Sequence, residues 1–168
     1  MDFRITHRFP GSAQAWWSVC KHPDFEAVIA QASDVTMTLL SDETRDGVRR
    51  QRVRVVPRKE LPALVQKAIG APRFSYVQET EERAGESSLR WTVLPELLAD
   101  KIRCAGTLRL VDVPGGCERT VEGTVEVRVT LVGGTIEKAV IDELRQGYDR
   151  SAVALLPVLA RLTAGGTP

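Results

Sequence analysis

The final third of the chain constrains the fold more than any other stretch. Residues 121–131 alternate apolar and polar, as a half-buried strand does, and the run stops at Gly133-Gly134. From Thr135 the apolar positions change to helical spacing and keep it nearly to the end: Ile136, Val140, Leu144, Tyr148, Ala152, Leu155, Leu159 and Leu162. Steps of four and three place these on one face, while Glu137, Asp142, Glu143, Arg145, Asp149 and Arg150 take the other. Gly147 weakens the middle of this helix by roughly 1 kcal/mol relative to alanine. Pro157 cannot donate to the carbonyl of Val153, so a kink or a stop is expected there. One long helix after a series of strands predicts a curved antiparallel sheet gripping that helix.

The rest of the chain supplies the strands. Residues 2–9 alternate Phe3, Ile5, His7 and Phe9 with polar partners, and Pro10-Gly11 ends the run. Ser12 can cap a short helix over Ser12–Lys21 that carries Trp16, Trp17 and Cys20. His22-Pro23 breaks it, and a second short helix follows over Pro23–Gln31. Val35–Leu40 and Val48–Val56 read as strands joined through Asp46-Gly47, a strong hairpin signal. Lys59–Ile69 is apolar at helical spacing and stops at Gly70. Further strands are expected over Arg73–Glu82, Ser87–Leu94, Ile102–Val113 and Glu118–Thr130, the last two joined around Pro114-Gly115-Gly116. Residues 96–100 fit no pattern. At 168 residues the chain suits one α+β domain, 1–163, with a loose tail at 164–168.

Composition narrows the function classes. The formal net charge of +1 gives no global attraction to nucleic acid. No apolar run approaches the length of a membrane span, and the N-terminus has no apolar core of a signal peptide. The expectation is a soluble, cytoplasmic protein. Cys20, Cys104 and Cys117 show no CxxC spacing. A hairpin around Pro114-Gly115-Gly116 puts Cys117 opposite about Val113 and Cys104 opposite about Glu126, too far apart to bridge. The thiols therefore read as reduced.

The order of elements resembles the helix-grip superfamily of START, polyketide-cyclase and birch-pollen-allergen-like proteins (SRPBCC), most closely a bacterial branch known as a domain of unknown function. The stretches that carry the resemblance are THRFPGSAQAWWSVCKHPDF, LPALVQKAIGAPRFSYVQETEE, GTLRLVDV and VEGTVEVRVTLVGGTIEKAVIDEL. It spans nearly the whole chain, with LVGGTIEK its most specific part. The resemblance implies a deep cavity between sheet and long helix that takes lipids, sterols, polyketides or isoprenoids. Some relatives of that kind are cyclases or hydrolases, but they share no catalytic motif to transfer. Pro157 departs from the uninterrupted helix that the resemblance implies.

Motifs of catalysis are missing: no GxSxG, HExxH, P-loop or GxGxxG is present, and no metal or cofactor site is expected. His7 and His22 are the two histidines. His7 shares the face of Phe3, Ile5 and Phe9; it is either a core histidine bonded to a neighbour or a polar hook in the cavity. His22 reads as a turn residue. Arg50, Arg52 and Arg54 share one strand face, either as a solvated outer face paired with acids such as Glu79 or as an attractor for an anionic membrane. No aromatics interleave with them, so nucleic acid is not expected. Trp16 and Trp17 are neighbours on a helix and cannot point the same way; either both pack in the core, or one does and the other is partly exposed or at the cavity mouth. Tyr148 lies on the apolar stripe with a hydroxyl that needs a partner.

These readings converge on a binder or carrier of an apolar small molecule. Its expected lining is Phe74, Tyr76, Trp91, Val93, Leu108, Leu110, Val125, Val127, Val140, Leu144, Tyr148 and Ala152, with His7 as a polar contact. Two alternatives stay open: a cyclase or hydrolase using His7, Tyr148 or an acid near Glu96 and Asp100, and a chaperone-like module whose groove takes a protein segment. The facing of residues 73–94 is the critical assignment, because a slip of one residue would reverse every side chain there.

Overall fold

The computed structural model describes residues 1–22 and 24–164. Strand β1 (Asp2–Phe9) leads into helices α1 (Ala13–Val19) and α2 (Phe25–Ala32). Then come β2 (Val35–Arg45), β3 (Val48–Pro57), helix α3 (Ala63–Ile69), β4 (Tyr76–Arg83), β5 (Ser88–Pro95), β6 (Ile102–Val113), β7 (Gly116–Val127) and helix α4 (Gly133–Ala164). The strands form one seven-stranded antiparallel sheet in the order β1-β7-β6-β5-β4-β3-β2. Each consecutive pair from β2 to β7 is a local neighbour, and β1 closes the series by pairing with β7. This is the curved sheet and long C-terminal helix expected from the sequence. Pro23, expected to separate the two short helices, lies outside the described residues.

Local chemistry sets the turns and the curvature. Asp46 and Gly47 both take positive φ, 53° and 72°, as a two-residue hairpin turn whose twist matches its strands requires. The curvature depends on Gly106 and Gly123, which sit opposite each other on β6 and β7. A Cβ on Gly123 would meet the Ala105 carbonyl at 2.6 Å and Trp91 Cζ2 at 2.7 Å. With both side chains missing, the Trp91 indole lies across the strands, and its ring centroid is 6.1 Å from that of Phe3 on the far side. An aromatic ring thus covers backbone that the glycines leave bare.

The interior divides into two apolar clusters. One joins Phe3, Ile5, Trp91, Ile102, Val121, Val125 and Val127 to Ile136 and Ile141 of α4. The other joins Phe9, Trp16, Trp17, Val19, Leu110 and Cys117 to Ala152, Leu155, Val158 and Leu159 near the C-terminal end of α4. Leu89 and Leu108 touch both.

Several expectations are corrected. β2 runs on to Arg45, past a bulge between Leu39 and Ser41 that absorbs one residue. Strand β4 starts only at Tyr76, leaving Phe74 in the connection before it. The β6–β7 turn has two residues, Pro114-Gly115, with Val113 opposite Gly116, so Cys117 faces Asp112 and Cys104 faces Val125. All three thiols are free. α4 starts at Gly133 rather than Thr135 and does not stop at Pro157. The reason is where the proline sits: Pro157 is exposed and Val153, whose carbonyl loses its donor, is 68% exposed, so water can satisfy that carbonyl. Ala164 closes this helix; the rest of the expected tail, 165–168, lies outside the described residues.

The glycine pair generates a test. Gly123→Ala is expected to lower unfolding free energy by about 2 kcal/mol or more, through forced displacement of backbone and indole. Gly134→Ala, where a Cβ meets nothing within 4 Å, should leave stability unchanged or raise it by up to about 1 kcal/mol. Urea unfolding of both variants checks the contrast.

Candidate functional site

The two clusters meet at a polar layer built on residue 119. Alternation along β7 turns Cys117, Arg119, Val121 and Val125 inward, and all four are buried. Arg119 is only 6% exposed. Its Nη2 donates to Nδ1 of His7 and to the backbone carbonyl of Tyr148, each at 3.0 Å. Its guanidinium carbon lies 5.3 Å from the Phe9 ring centroid and 5.1 Å from that of Tyr148. Burial holds Arg119 below the ordinary arginine range. Its Nε has no hydrogen-bond partner.

His7 is fixed by this layer. Its Nδ1 accepts from Arg119, so the ring proton sits on Nε2, which donates to Asp149 Oδ1 at 2.8 Å. The inward face read for His7 is correct, and the ring is a bonded histidine between β1 and α4. Arg119 was not among the residues singled out from the sequence. The signal was present: the alternation of 121–131, extended back two steps, turns 119 inward.

The expected facing of residues 73–94 holds. Trp91 is buried, Tyr76 and Val93 face inward, and Phe74 packs on the first cluster with its ring 6.2 Å from Tyr76. Leu110, Val125, Val127 and Ala152 are also buried, Leu110 and Ala152 in the cluster under α1. Leu108, Val140, Leu144 and Tyr148 are only half-buried, as are Phe74, Tyr76, Val93 and His7. Tyr76 and Tyr148 lie near each other, and removal from water pushes both phenols above their ordinary value; each also feels Cys104. Trp91 Nε1 is buried without a hydrogen-bond partner.

One end of this interior is closed by α1. Trp16 and Trp17 are both buried, so of the two readings the core one holds. They diverge as helix neighbours must, and each indole finds an acceptor. Trp16 Nε1 donates to the Pro10 carbonyl at 2.9 Å; Trp17 Nε1 reaches Glu82 Oε1 on β4 at 2.9 Å. Lys21 adds an ion pair to Glu82 at 2.8 Å. Next to it, Gln51 of β3 bonds Glu26 of α2 at 3.2 Å.

Other candidate groups face away. Arg50, Arg52 and Arg54 are exposed and pair with Glu81, Glu79 and Glu96 at 3.2, 2.7 and 2.5 Å. Arg54 holds the Glu96 carboxyl below its usual range by hydrogen bonding. Glu96 and Asp100 are both exposed, and Glu96 lies on the outer face, so it does not join His7 and Tyr148. A shallow groove of about 590 Å³ bordered by Asp2, Arg4, Thr107, Glu122 and Thr124 is likewise on the outer side of the sheet. No helix of the described residues is long and apolar enough to cross a membrane.

Comparison with known proteins places this architecture. A family model described as protein of unknown function DUF2505 matches residues 4–156. The chain belongs to the DUF2505 family. No curated protein matches it significantly. Among solved structures it is similar to TTHA0849 of Thermus thermophilus, at 17% identity and TM-score 0.67, covering 99% of this chain and 100% of that one. It is also similar to the Zhui aromatase/cyclase of a Streptomyces species, at 12% identity and TM-score 0.65, covering 99% of each chain. A START superfamily protein of Mycobacterium smegmatis matches at 17% identity and TM-score 0.56, covering 96% of this chain and 98% of that one. At these identities the likeness establishes the START-like fold of this DUF2505 member, and no ligand or activity.

Two tests follow from the layer. His7→Leu leaves Arg119 Nη2 short of an acceptor and should cost about 1–3 kcal/mol. Adding Arg119→Met should recover part of that loss, and a double-mutant cycle by urea unfolding measures the coupling. The second test concerns pH. Burial pushes Cys20, Cys104 and Cys117 up from 9.0 to about 11. The folded thiols hold their protons more tightly than unfolded ones, so their contribution is whole below pH 9 and is lost as pH rises toward 11. Stability measured across that window should fall, and replacing the three cysteines with alanine should flatten the fall.

Proposed function

We propose that this DUF2505 protein binds and carries an apolar small molecule between its sheet and α4. The observation that supports the reading is the one-sided seating of α4 across the sheet. α4 packs its backbone against α1, α2, β1 and β7 and makes no comparable approach to β3, β4 or β5. The inward side chains on that side, Tyr76, Val93 and Leu108, and the facing Leu144 and Tyr148, are only half-buried. Yet Tyr76 and Tyr148 are withdrawn from water strongly enough to raise both phenols. In this reading these side chains line the ligand space. Apolar walls with a few placed polar groups are what small-molecule sites are made of.

A cyclase or hydrolase reading has less to draw on. Both ring nitrogens of His7 are already engaged, one by Arg119 and one by Asp149, so neither is open to a substrate proton in this arrangement. An anionic membrane has a weak hold on the outer arginines, because each faces a carboxylate. A groove for a protein segment would need an open mouth, whereas α1 is tied across one end by Trp17 and Lys21 to Glu82.

The test is occupancy. The parent protein should enhance the fluorescence of an uncharged dye such as N-phenyl-naphthylamine, with one site per chain. Val93→Trp, which adds an indole to the half-buried wall, should weaken that binding about tenfold or more while circular dichroism and thermal unfolding show an intact fold. Absence of dye binding by the parent protein would remove the carrier reading.

A further inference from the structure

Arg119 is a buried cation with no buried anion. No carboxylate of the described residues lies within ion-pair distance of it; Asp149, the nearby acid, is bonded to His7. The acceptors it does have are an imidazole nitrogen and a peptide oxygen, both neutral, and the hydrogen bonds to them leave from Nη2. Nε, although buried, has none. A guanidinium withdrawn from water without a counter-charge is costly, and packing alone would be served as well by leucine or methionine at this inward position. Phe9 and Tyr148 hold its plane by their rings, and His7, itself anchored by Asp149, holds one edge. The group is therefore fixed in orientation while part of its donor fork is unused. Leu108 packs against both apolar clusters, and half-buried Leu144 stands one helical turn before Tyr148 on α4.

We propose that Arg119 is an anion anchor, and that the ligand is an amphipathic carboxylic acid. Its carboxylate pairs with the guanidinium, accepting from Nε, and its apolar body lies along Leu108, Leu144 and Val93. This rests on the carrier reading and adds the head-group chemistry to it. With both Nη2 protons taken by His7 and Tyr148, the bond to the carboxylate is a single charge-assisted one from Nε, in an orientation that the planar guanidinium fixes and a lysine would not. The ligand thus supplies the counter-charge that the protein lacks.

The experiment compares three probes on the parent protein at neutral pH: a long-chain polyene fatty acid, its methyl ester, and uncharged N-phenyl-naphthylamine. The acid should bind about tenfold or more tightly than the ester, the difference expected of a charge-assisted hydrogen bond. Arg119→Gln should bring acid and ester to within about twofold of each other and leave the dye unchanged. Arg8→Gln, which removes an equal charge from the exposed face of β1, should leave the acid preference intact. An NMR readout needs no variant: the Nε–H resonance of Arg119 should shift with the acid and not with the ester. Equal binding of acid and ester by the parent protein, with the dye bound, overturns the anchor and leaves the cavity. An acid preference that survives in folded Arg119→Gln also overturns it. Failure of all three probes to bind overturns the cavity reading and the anchor with it.

Discussion

One helix cannot fill the hollow of a seven-stranded sheet. Strands about 4.8 Å apart make a sheet roughly 29 Å across, whereas a helix with its side chains is about 10 Å wide. Something must cover the remainder, or it stays open. In this chain α1 and α2 take one end. They pack on the last turns of α4 through Trp16, Leu155, Val158 and Leu159, and Arg150 reaches back to the Ala32 carbonyl at 2.7 Å. At the other end, Glu137 accepts from the Val127 amide at 2.9 Å, pinning the start of α4 to the end of β7. The helix is thus held at both ends and along the β1–β7 side. The middle of the sheet, β3 to β5, curls around the other side without comparable backbone contact. The one-sided seating of the helix follows from which strands it is tied to.

The same division explains why the polar layer sits where it does. Arg119 and His7 lie at the boundary between the two clusters: Val121 and Ile5 on the same strands belong to one, Cys117 and Phe9 to the other. A charge buried in the middle of either cluster would face only aliphatic neighbours. At the boundary it meets two aromatic faces, an imidazole and the carbonyl of Tyr148. The Tyr148 carbonyl accepts from Ser151 Oγ at 2.8 Å as well as from Arg119. Gly147, which weakens a helix, stands just before Tyr148, and a Cβ there would come to 3.7 Å of Ser33 Oγ, an ordinary contact. That leaves the glycine without a steric reason.

Much of the architecture was legible because the turn chemistry is explicit. Asp46-Gly47, Gly70 and Gly133-Gly134 mark boundaries that only a few backbone conformations satisfy, and the strand facing could then be counted by twos. The errors came where one residue type serves two purposes. Gly116 was counted as part of the turn, but it pairs with Val113; a Cβ there would run into the Phe9 carbonyl, so β1 is what requires the glycine. That moved the β6–β7 register by one. Pro157 leaves a kink or a stop open from sequence, because a missing donor is costly only when the orphaned carbonyl is buried, and burial of a carbonyl is a tertiary fact. Helix spacing alone cannot show that Glu82, sixty-five positions away, accepts the Trp17 indole proton and lets that side chain be buried.

Arg119 is the instructive omission. Its inward position could be counted, yet charge favours a surface reading, and the sequence has 23 lysines and arginines to assign to solvent. What overrides the prior is the neighbourhood: His7 from β1 and Tyr148 from α4 meet Arg119 only after the sheet has closed β1 onto β7, a pairing across more than a hundred residues. A local pattern gives a side chain's direction. Only the assembled fold shows whether a charge pointing inward meets a partner, and in this fold it meets acceptors without meeting an anion.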